Sequence, residues 1–550
     1  MKKNLPVAWS ALLILSALIL TAACVQSRER VIDNPAFDDS NTDKLQISKI
    51  VLTDTATVLY VDAYSRPDYW LRIASGAVLK GADNRVYKLL GSENFEPDAK
   101  VFMPQSGNVA FTLLFEPVSQ NERSVDFVEG DSQDDFRIKN IRLYRSEPPA
   151  AAIRCRLKGE VVNRPQSSRL VLLRQGEDFR TTKATYIPVR NGKFEHALCC
   201  DHEEAYTLTF YDEYLNGAWR PIPFIAEQGE IHFTLHPADE WKSNVTTGGA
   251  ANREMQAAQK LIGDKIDMLY DSLNIRIGAL EKAEKYYTAE AAELTKQIEA
   301  SATDDPKREE LFRQYMALRD AEKCLTPEGN ALKEEGNAIA KKKVDMELAY
   351  AKENTTIAGY SLLVANIQRA IEQTKSDAAP MLEIYANAYR GKYPNHPYSE
   401  LVERYVNATS VKVGNPYIDV AATDAEDNEV RLSSLIAGKV ALIHLWASWC
   451  GPCIRHGKEM IPVYEAYKDK GFTVVGIARE RSKASMLAAV QRVKYPWVNL
   501  LELNDRHGVW TKYGIGNAGG GDFLVDDKGI LLAVNTTPEE VKRILEKLLK

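Results

Sequence analysis

Ten residues without a formal charge, VALIHLWASW (440–449), run straight into Cys450-Gly451-Pro452-Cys453, and a helical apolar pattern follows through Met460, Val463 and Tyr467. An apolar run of this kind suits the middle strand of a sheet covered on both faces. Downstream, FTVVGIA reads as another buried strand and KASMLAAVQRV as a helix. DFLVDDKGILLAV reads as two strands around an Asp-Lys-Gly turn, and PEEVKRILEKLLK as a closing helix that starts on proline. Alternation passing into a final hairpin predicts an α/β sheet with helices on both faces over residues 413–550.

The position of Cys450 is what gives the pair chemistry. Unpaired N–H groups and the helix dipole favour an anion at a helix start, so a cysteine there holds its thiolate at a pKa of roughly 3.5 to 7.5. Cys453 follows on the same helix face, within reach to resolve a mixed disulfide formed on Cys450. Pro452 fits the first turn, where its missing N–H has no helical partner. Gly451 leaves the front sulfur open to an incoming protein.

Together WASWCGPC resembles the thioredoxin active site, and the stretch NPYIDVAATDAEDNEVRLSSLIAGKVALIHLWASWCGPC resembles the TlpA-like branch of that family, membrane-held thioredoxins that act outside the cytoplasm. The resemblance covers residues 413–550. It implies a thioredoxin-like fold and disulfide exchange, usually reduction, with Cys450 as nucleophile and Cys453 as resolver. It also implies disulfide-containing client proteins and a membrane electron donor. Two positions depart from the family. His444 stands where thioredoxins carry a buried Asp; it reads as a hydrogen-bonded packing group, with proton relay to Cys453 as the other role, and Glu480 is a second candidate for proton handling. Gly520, in YGIGNAGGGDFLVDD, stands where the family has a cis-proline; a non-proline cis bond costs roughly 2.5 to 4 kcal/mol, so a trans peptide is expected.

Two other readings of these residues are weaker. Cys450, Cys453 and His456 offer three zinc ligands, but a structural zinc site wants a second ligand pair at close spacing, and the sequence has none. Gly514-Ile515-Gly516-Asn517-Ala518-Gly519 matches G-x-G-x-x-G, yet the pattern is followed by a strand instead of a helix. The expectation is no cofactor and no metal, with the glycines forming a flexible or tightly turning loop beside the dithiol.

The chain start is of another kind. Lys2 and Lys3 precede an apolar run ending in LTAAC at Cys24, the parts of an export signal. LTAAC resembles the lipobox of bacterial lipoproteins, which implies a signal peptide over 1–24, lipidation of Cys24 and insertion in the bilayer by that lipid. The protein is then expected in the cell envelope, on the periplasmic or surface side, with 25–44 as a polar tether. A net charge of −6 gives no electrostatic reason to expect nucleic acid as a partner.

At 550 residues the chain is too long for one core. Residues 45–148 read as a β-sandwich-like module, with alternating apolar positions at Phe136/Ile138 and again at Ile141/Leu143. Residues 149–240 read as a second β-rich module, which resembles a β domain preceding thioredoxin modules in some bacterial lipoproteins. In it Cys155 reads as a buried hydrophobe, and Cys199 and Cys200 face opposite ways, so pairing of either with Cys155 stays open. His232 and His236 share a face but stand roughly 13 Å apart, too far for one metal. Residues 250–408 switch to helical period, with a stripe of Ile262, Ile266, Leu269, Leu273, Ile277 and Leu280 and a Glu281–Lys285 pair, and read as a helical spacer. Cys324 falls in this segment and has no assigned role.

The sequence thus predicts a multidomain protein: β-rich N-terminal modules, a helical middle and a C-terminal α/β thioredoxin-like fold. Its expected function is that of a membrane-anchored extracytoplasmic thiol-disulfide oxidoreductase. The alternative is a non-enzymatic envelope binding or scaffold lipoprotein with a vestigial dithiol. A narrower role in haem maturation finds no support in the first 400 residues.

Overall fold

The computed structural model describes residues 29–549 apart from 133–134, 145–151, 179–180, 183, 218–219, 303–305 and 518. The expected signal peptide over 1–24, with Cys24, lies outside the described residues. No helix among those described is long and apolar enough to cross a membrane.

The N-terminal strands include β1 (Thr57–Tyr64), β2 (Val78–Gly81), β3 (Val86–Glu93), β4 (Asn108–Phe115), β5 (Ser124–Val128) and β6 (Arg137–Arg142). They hydrogen-bond in the order β1-β4-β3-β2-β5-β6 within one larger series. Phe115 on β4 and Phe127 on β5 are three strand spacings apart in that series, about 14 Å in a flat sheet. Their rings nevertheless meet edge-on at 6.4 Å. The sheet therefore folds back on itself around one core that holds Leu59, Leu79, Phe111 and Ile141. The broken alternation between Ile138 and Ile141 has a local cause. Two residues, Lys139 and Asn140, oppose the single Asp126, and Asn140 takes a φ of +50° as its N–H donates to Asp126 Oδ1 at 2.6 Å. This β-bulge resets the phase, so both isoleucines point inward.

The second β-rich segment contains β7 (Ile153–Val161), β8 (Arg169–Arg174), β9 (Lys193–Cys200), β10 (Glu204–Phe210), β11 (Ile222–Ala226) and β12 (Gly229–Leu235). One four-stranded sheet carries β9-β7-β12 and a second carries β8-β10-β11. Phe224 on β11 and Phe233 on β12 close the two sheets edge to face at 5.3 Å. Cys155 and Cys200 are buried in this core, Cys199 is half-buried, and all three are free thiols, as is Cys324.

In the helical middle, α1 (Ala250–Lys282) packs Ile262, Ile266 and Leu273 against Ile339 of α4 (Pro327–Glu353), with α2 (Ala289–Ala300) and α3 (Pro306–Asp320) between them in sequence. The expected Glu281–Lys285 helical pair does not form: α1 ends at Lys282, and Glu284 turns left-handed at φ +55°. A second helical core gathers Tyr360 of α5 (Ile357–Gln368), Tyr385, Tyr389, and Tyr398 and Tyr405 of α6 (Pro397–Ala408). It is joined to the second β segment, where Tyr398 Oη accepts from Ala205 N at 2.7 Å and Gln175 Nε2 donates to Ser361 O at 2.8 Å.

The last unit is a seven-stranded sheet ordered β14-β13-β17-β16-β15-β18-β19, formed by β13 (Ala421–Thr423), β14 (Glu429–Arg431), β15 (Val440–Trp446), β16 (Phe472–Glu480), β17 (Val498–Leu503), β18 (Gly521–Val525) and β19 (Leu531–Val534). β15, β16 and β17 run parallel and β18 returns antiparallel to β15. One face is covered by α7 (Gly451–Tyr467), α8 (Lys483–Val493) and α9 (Pro538–Leu548), the other by Leu432, Ile436, Trp510 and Tyr513. With both faces covered, every residue of β15 is buried, as its apolar run requires.

Candidate active site

Cys450 is the residue that caps α7. Its backbone is extended (φ −88°, ψ 94°), and its Sγ accepts from Cys453 N at 3.3 Å. This places the sulfur where a helix start offers an unpaired donor, so that negative charge on it is favoured. Cys450 and Cys453 are joined as a disulfide across a Cα–Cα separation of 5.3 Å. The expectation of an open front sulfur needs refinement. Cys450 is 5% exposed and Cys453 8%, whereas Trp449, Gly451 and Pro452 are exposed beside them. An incoming disulfide meets a rim formed by those three residues before it meets the sulfur.

Glu480 ends β16 fully inside the protein, and both of its carboxylate oxygens are committed to Ser448. Oε1 accepts from Ser448 N at 2.5 Å and Oε2 from Ser448 Oγ at 3.0 Å. Burial pushes the carboxyl above its ordinary range. The geometry makes Glu480 a clamp on the turn that presents Cys450.

His444 lies on β15 directly across from Asp522 on β18 and is 1% exposed. Its Nδ1 is 2.7 Å from Asp522 Oδ1. From the other side His456, one helical turn past Cys453, brings its Nδ1 to 3.3 Å from Asp522 Oδ2 while its Nε2 meets Thr536 O at 3.0 Å. His444 is thus a buried, hydrogen-bonded group, and Asp522 is its partner. Sequence reading missed Asp522. The available signal was a second ionisable residue at the start of an otherwise apolar strand.

Gly520 is beside the dithiol: a β-carbon there would overlap Leu445 O and stand 3.0 Å from Cys453 Sγ. The described residues contain no cis peptide bond. The loop before it is braced. Trp510 Nε1 donates to Gly519 O at 2.9 Å, Arg479 Nη1 to Asn517 Oδ1 at 2.9 Å, and Lys375 Nζ, from the helical middle, to Gly514 O at 2.8 Å. Arg479 is itself buried and held by both carboxylate oxygens of Asp505. A flexible loop was one expectation; the tight, tethered form is the one found, and Ala518 within it lies outside the described residues. Cys155 and Cys200 are remote from this chemistry, and burial pushes their thiols up to about 12 and about 11.

Residues 413–534 match the AhpC/TSA family. The chain is 27% identical over 154 residues to the thiol-disulfide oxidoreductase ResA of Geobacillus kaustophilus, covering 28% of this chain and 86% of that protein. It is 27% identical over 128 residues to the thiol:disulfide interchange protein DsbE of Allochromatium vinosum, covering 22% and 67%. The thioredoxin domain of a thiol-disulfide oxidoreductase from Bacteroides vulgatus aligns in structure at 26% identity and a TM-score of 0.24, over 26% of this chain and all of that one. The C-terminal quarter of the chain is a thioredoxin-like domain of the AhpC/TSA family, and its relatives place it among the thiol-disulfide oxidoreductases.

Proposed function

We propose that the protein reduces disulfides in client proteins outside the cytoplasm, held at a membrane by lipid on Cys24, with Cys450 as nucleophile and Cys453 as resolver. The observation that carries this reading is the place of Cys450: a capping sulfur that receives the Cys453 N–H at 3.3 Å, with a second sulfur three residues on.

In the reduced protein, the Cys450 thiolate attacks one sulfur of a client disulfide. An S–S bond forms between protein and client, and the client's other sulfur leaves as thiolate and takes a proton. Cys453, deprotonated, then attacks Cys450 Sγ and expels the second client thiol. Two electrons pass to the client and the dithiol becomes the disulfide. A dithiol donor at the membrane must return those electrons, and the N-terminal anchor would keep the protein beside it. Glu480, through Ser448, holds the turn from which Cys450 acts.

The test is to replace Cys453 with Ala, express the whole chain in its own envelope and identify what becomes covalently trapped on Cys450. Trapped proteins with disulfides of their own support the reading. A folded variant whose trap stays empty, while the wild type leaves a model disulfide unreduced, overturns it in favour of a binding or scaffold role.

A further inference from the structure

We propose that His444, His456 and Asp522 form a site for one divalent transition-metal ion of the zinc class, next to the dithiol and separate from it. The spacing of Cys450, Cys453 and His456 suggests one metal set in the sequence; the fold gives His456 different partners.

His456 Nε2 lies 3.0 Å from Thr536 O, and a main-chain carbonyl only accepts, so this nitrogen carries the ring proton. In the neutral ring, Nδ1 then presents a bare lone pair. That lone pair stands 3.3 Å from Asp522 Oδ2, yet Nδ1 has no hydrogen-bond partner. Two electron-rich atoms face each other with nothing positive between them. A proton on Nδ1 does not repair this well, because the nitrogen is out of line for a hydrogen bond to the carboxylate. A metal ion does, because both donors then point at a third position instead of at each other. Ligands at roughly 2.0 to 2.1 Å from a tetrahedral zinc are about 3.3 Å apart, the separation found here.

His444 completes the set from the opposite strand. Its Nδ1 is 2.7 Å from Asp522 Oδ1, and one donor atom from each of the three residues lies within 4.8 Å of the others. Without metal, a proton holds the short His444–Asp522 pair together. With metal, that proton leaves and the pair opens by a few tenths of an ångström. Two imidazoles and a carboxylate are a zinc donor set that keeps a fourth position open. The bond from His456 Nε2 to Thr536 O is the outer hydrogen bond that fixes the ring of a metal-ligating histidine. The supports are rigid. His444 and Asp522 are cross-strand neighbours on β15 and β18, His456 is on α7, and the His444 ring stacks beside Trp446 with Tyr495 at its edge.

The site adjoins the redox pair. Asp522 is two residues beyond Gly520, whose β-carbon position stands 3.0 Å from Cys453 Sγ.

The test uses the full chain, stripped with a chelator and kept with Cys450–Cys453 oxidised so that neither sulfur offers a ligand. It therefore reads the site whether or not the protein reduces clients. Zinc chloride is titrated by calorimetry in buffers of different ionisation heat, which counts protons released. The expected result is one zinc per chain with proton release, and binding at least about 10-fold weaker in both Asp522→Asn and His456→Gln. Absence of stoichiometric binding to the oxidised wild type, or equal binding in folded His456→Gln, overturns the proposal. His456 is contributed by α7 and not by a strand, and its side chain is 19% exposed, so its variant decides the matter if Asp522→Asn fails to fold.

Discussion

The main chain at Gly520 passes so close to Cys453 that a β-carbon would overlap Leu445 O and stand 3.0 Å from Sγ. Gly520→Ala must therefore push the start of β18 away from β15. We expect a loss of about 1 to 3 kcal/mol in stability, with a shifted reduction potential for the dithiol, because the strand that moves is the one facing Cys453. Denaturant unfolding of the oxidised protein and equilibration against a glutathione series check the two effects.

After mild reduction, Cys450 should be the thiol that alkylates first, with a pH profile centred within the range of roughly 3.5 to 7.5 for helix-start cysteines. Cys155 and Cys200, pushed up to about 12 and about 11 by burial, should stay unlabelled in the native protein. Iodoacetamide kinetics read by mass spectrometry separate the cysteines. A Cys450 profile at the ordinary thiol pKa, near 8.5, counts against activation by the helix.

Removing the clamp tests the role of Glu480. Glu480→Ala leaves the Ser448 N–H and hydroxyl without their acceptor inside the protein, at a cost of about 1 to 3 kcal/mol. Glu480→Gln keeps an acceptor for one of them and should cost less. If Glu480 positions the turn, Ala lowers the rate of disulfide exchange while Gln largely restores it, and the pH profile of Cys450 alkylation stays in place. A pH profile that moves in Gln would instead mark Glu480 as a proton carrier.

Glu502 links stability to pH. It is fully buried on β17, and burial raises its carboxyl to about 7. A raised folded-state pKa means that its contribution is fully present below the unfolded value, near 4.3, and is lost as pH rises through about 7. Glu502→Gln keeps the acceptor for His507 N and removes the titration. Relative to wild type, the variant should gain roughly 1 to 3 kcal/mol between pH 4.5 and 7 and no more above that. Urea denaturation across this range measures it.

The parts of the molecule written in local pattern were legible. The apolar run of β15, the handover to α7 at Cys450 and the final hairpin followed from residues near one another in the chain. The broken alternation at Ile138/Ile141 was visible, but its cause was not, because a bulge is defined by the opposite strand. The same limit hid Asp522. His444 and Asp522 are 78 residues apart in sequence and become neighbours only through strand order. The tyrosine core of the helical middle and the hydrogen bonds of Gln175 and Tyr398 across the segments are long-range for the same reason.

Lys375 reaches out of the helical middle to fasten Gly514 O, at the base of the loop that ends beside Cys453. An excised fragment starting at Val413 would carry the whole reactive pair but would lack this clasp. Client preferences measured on such a fragment would describe a looser mouth than the one the intact chain presents, so selectivity should be studied with the upstream helices attached.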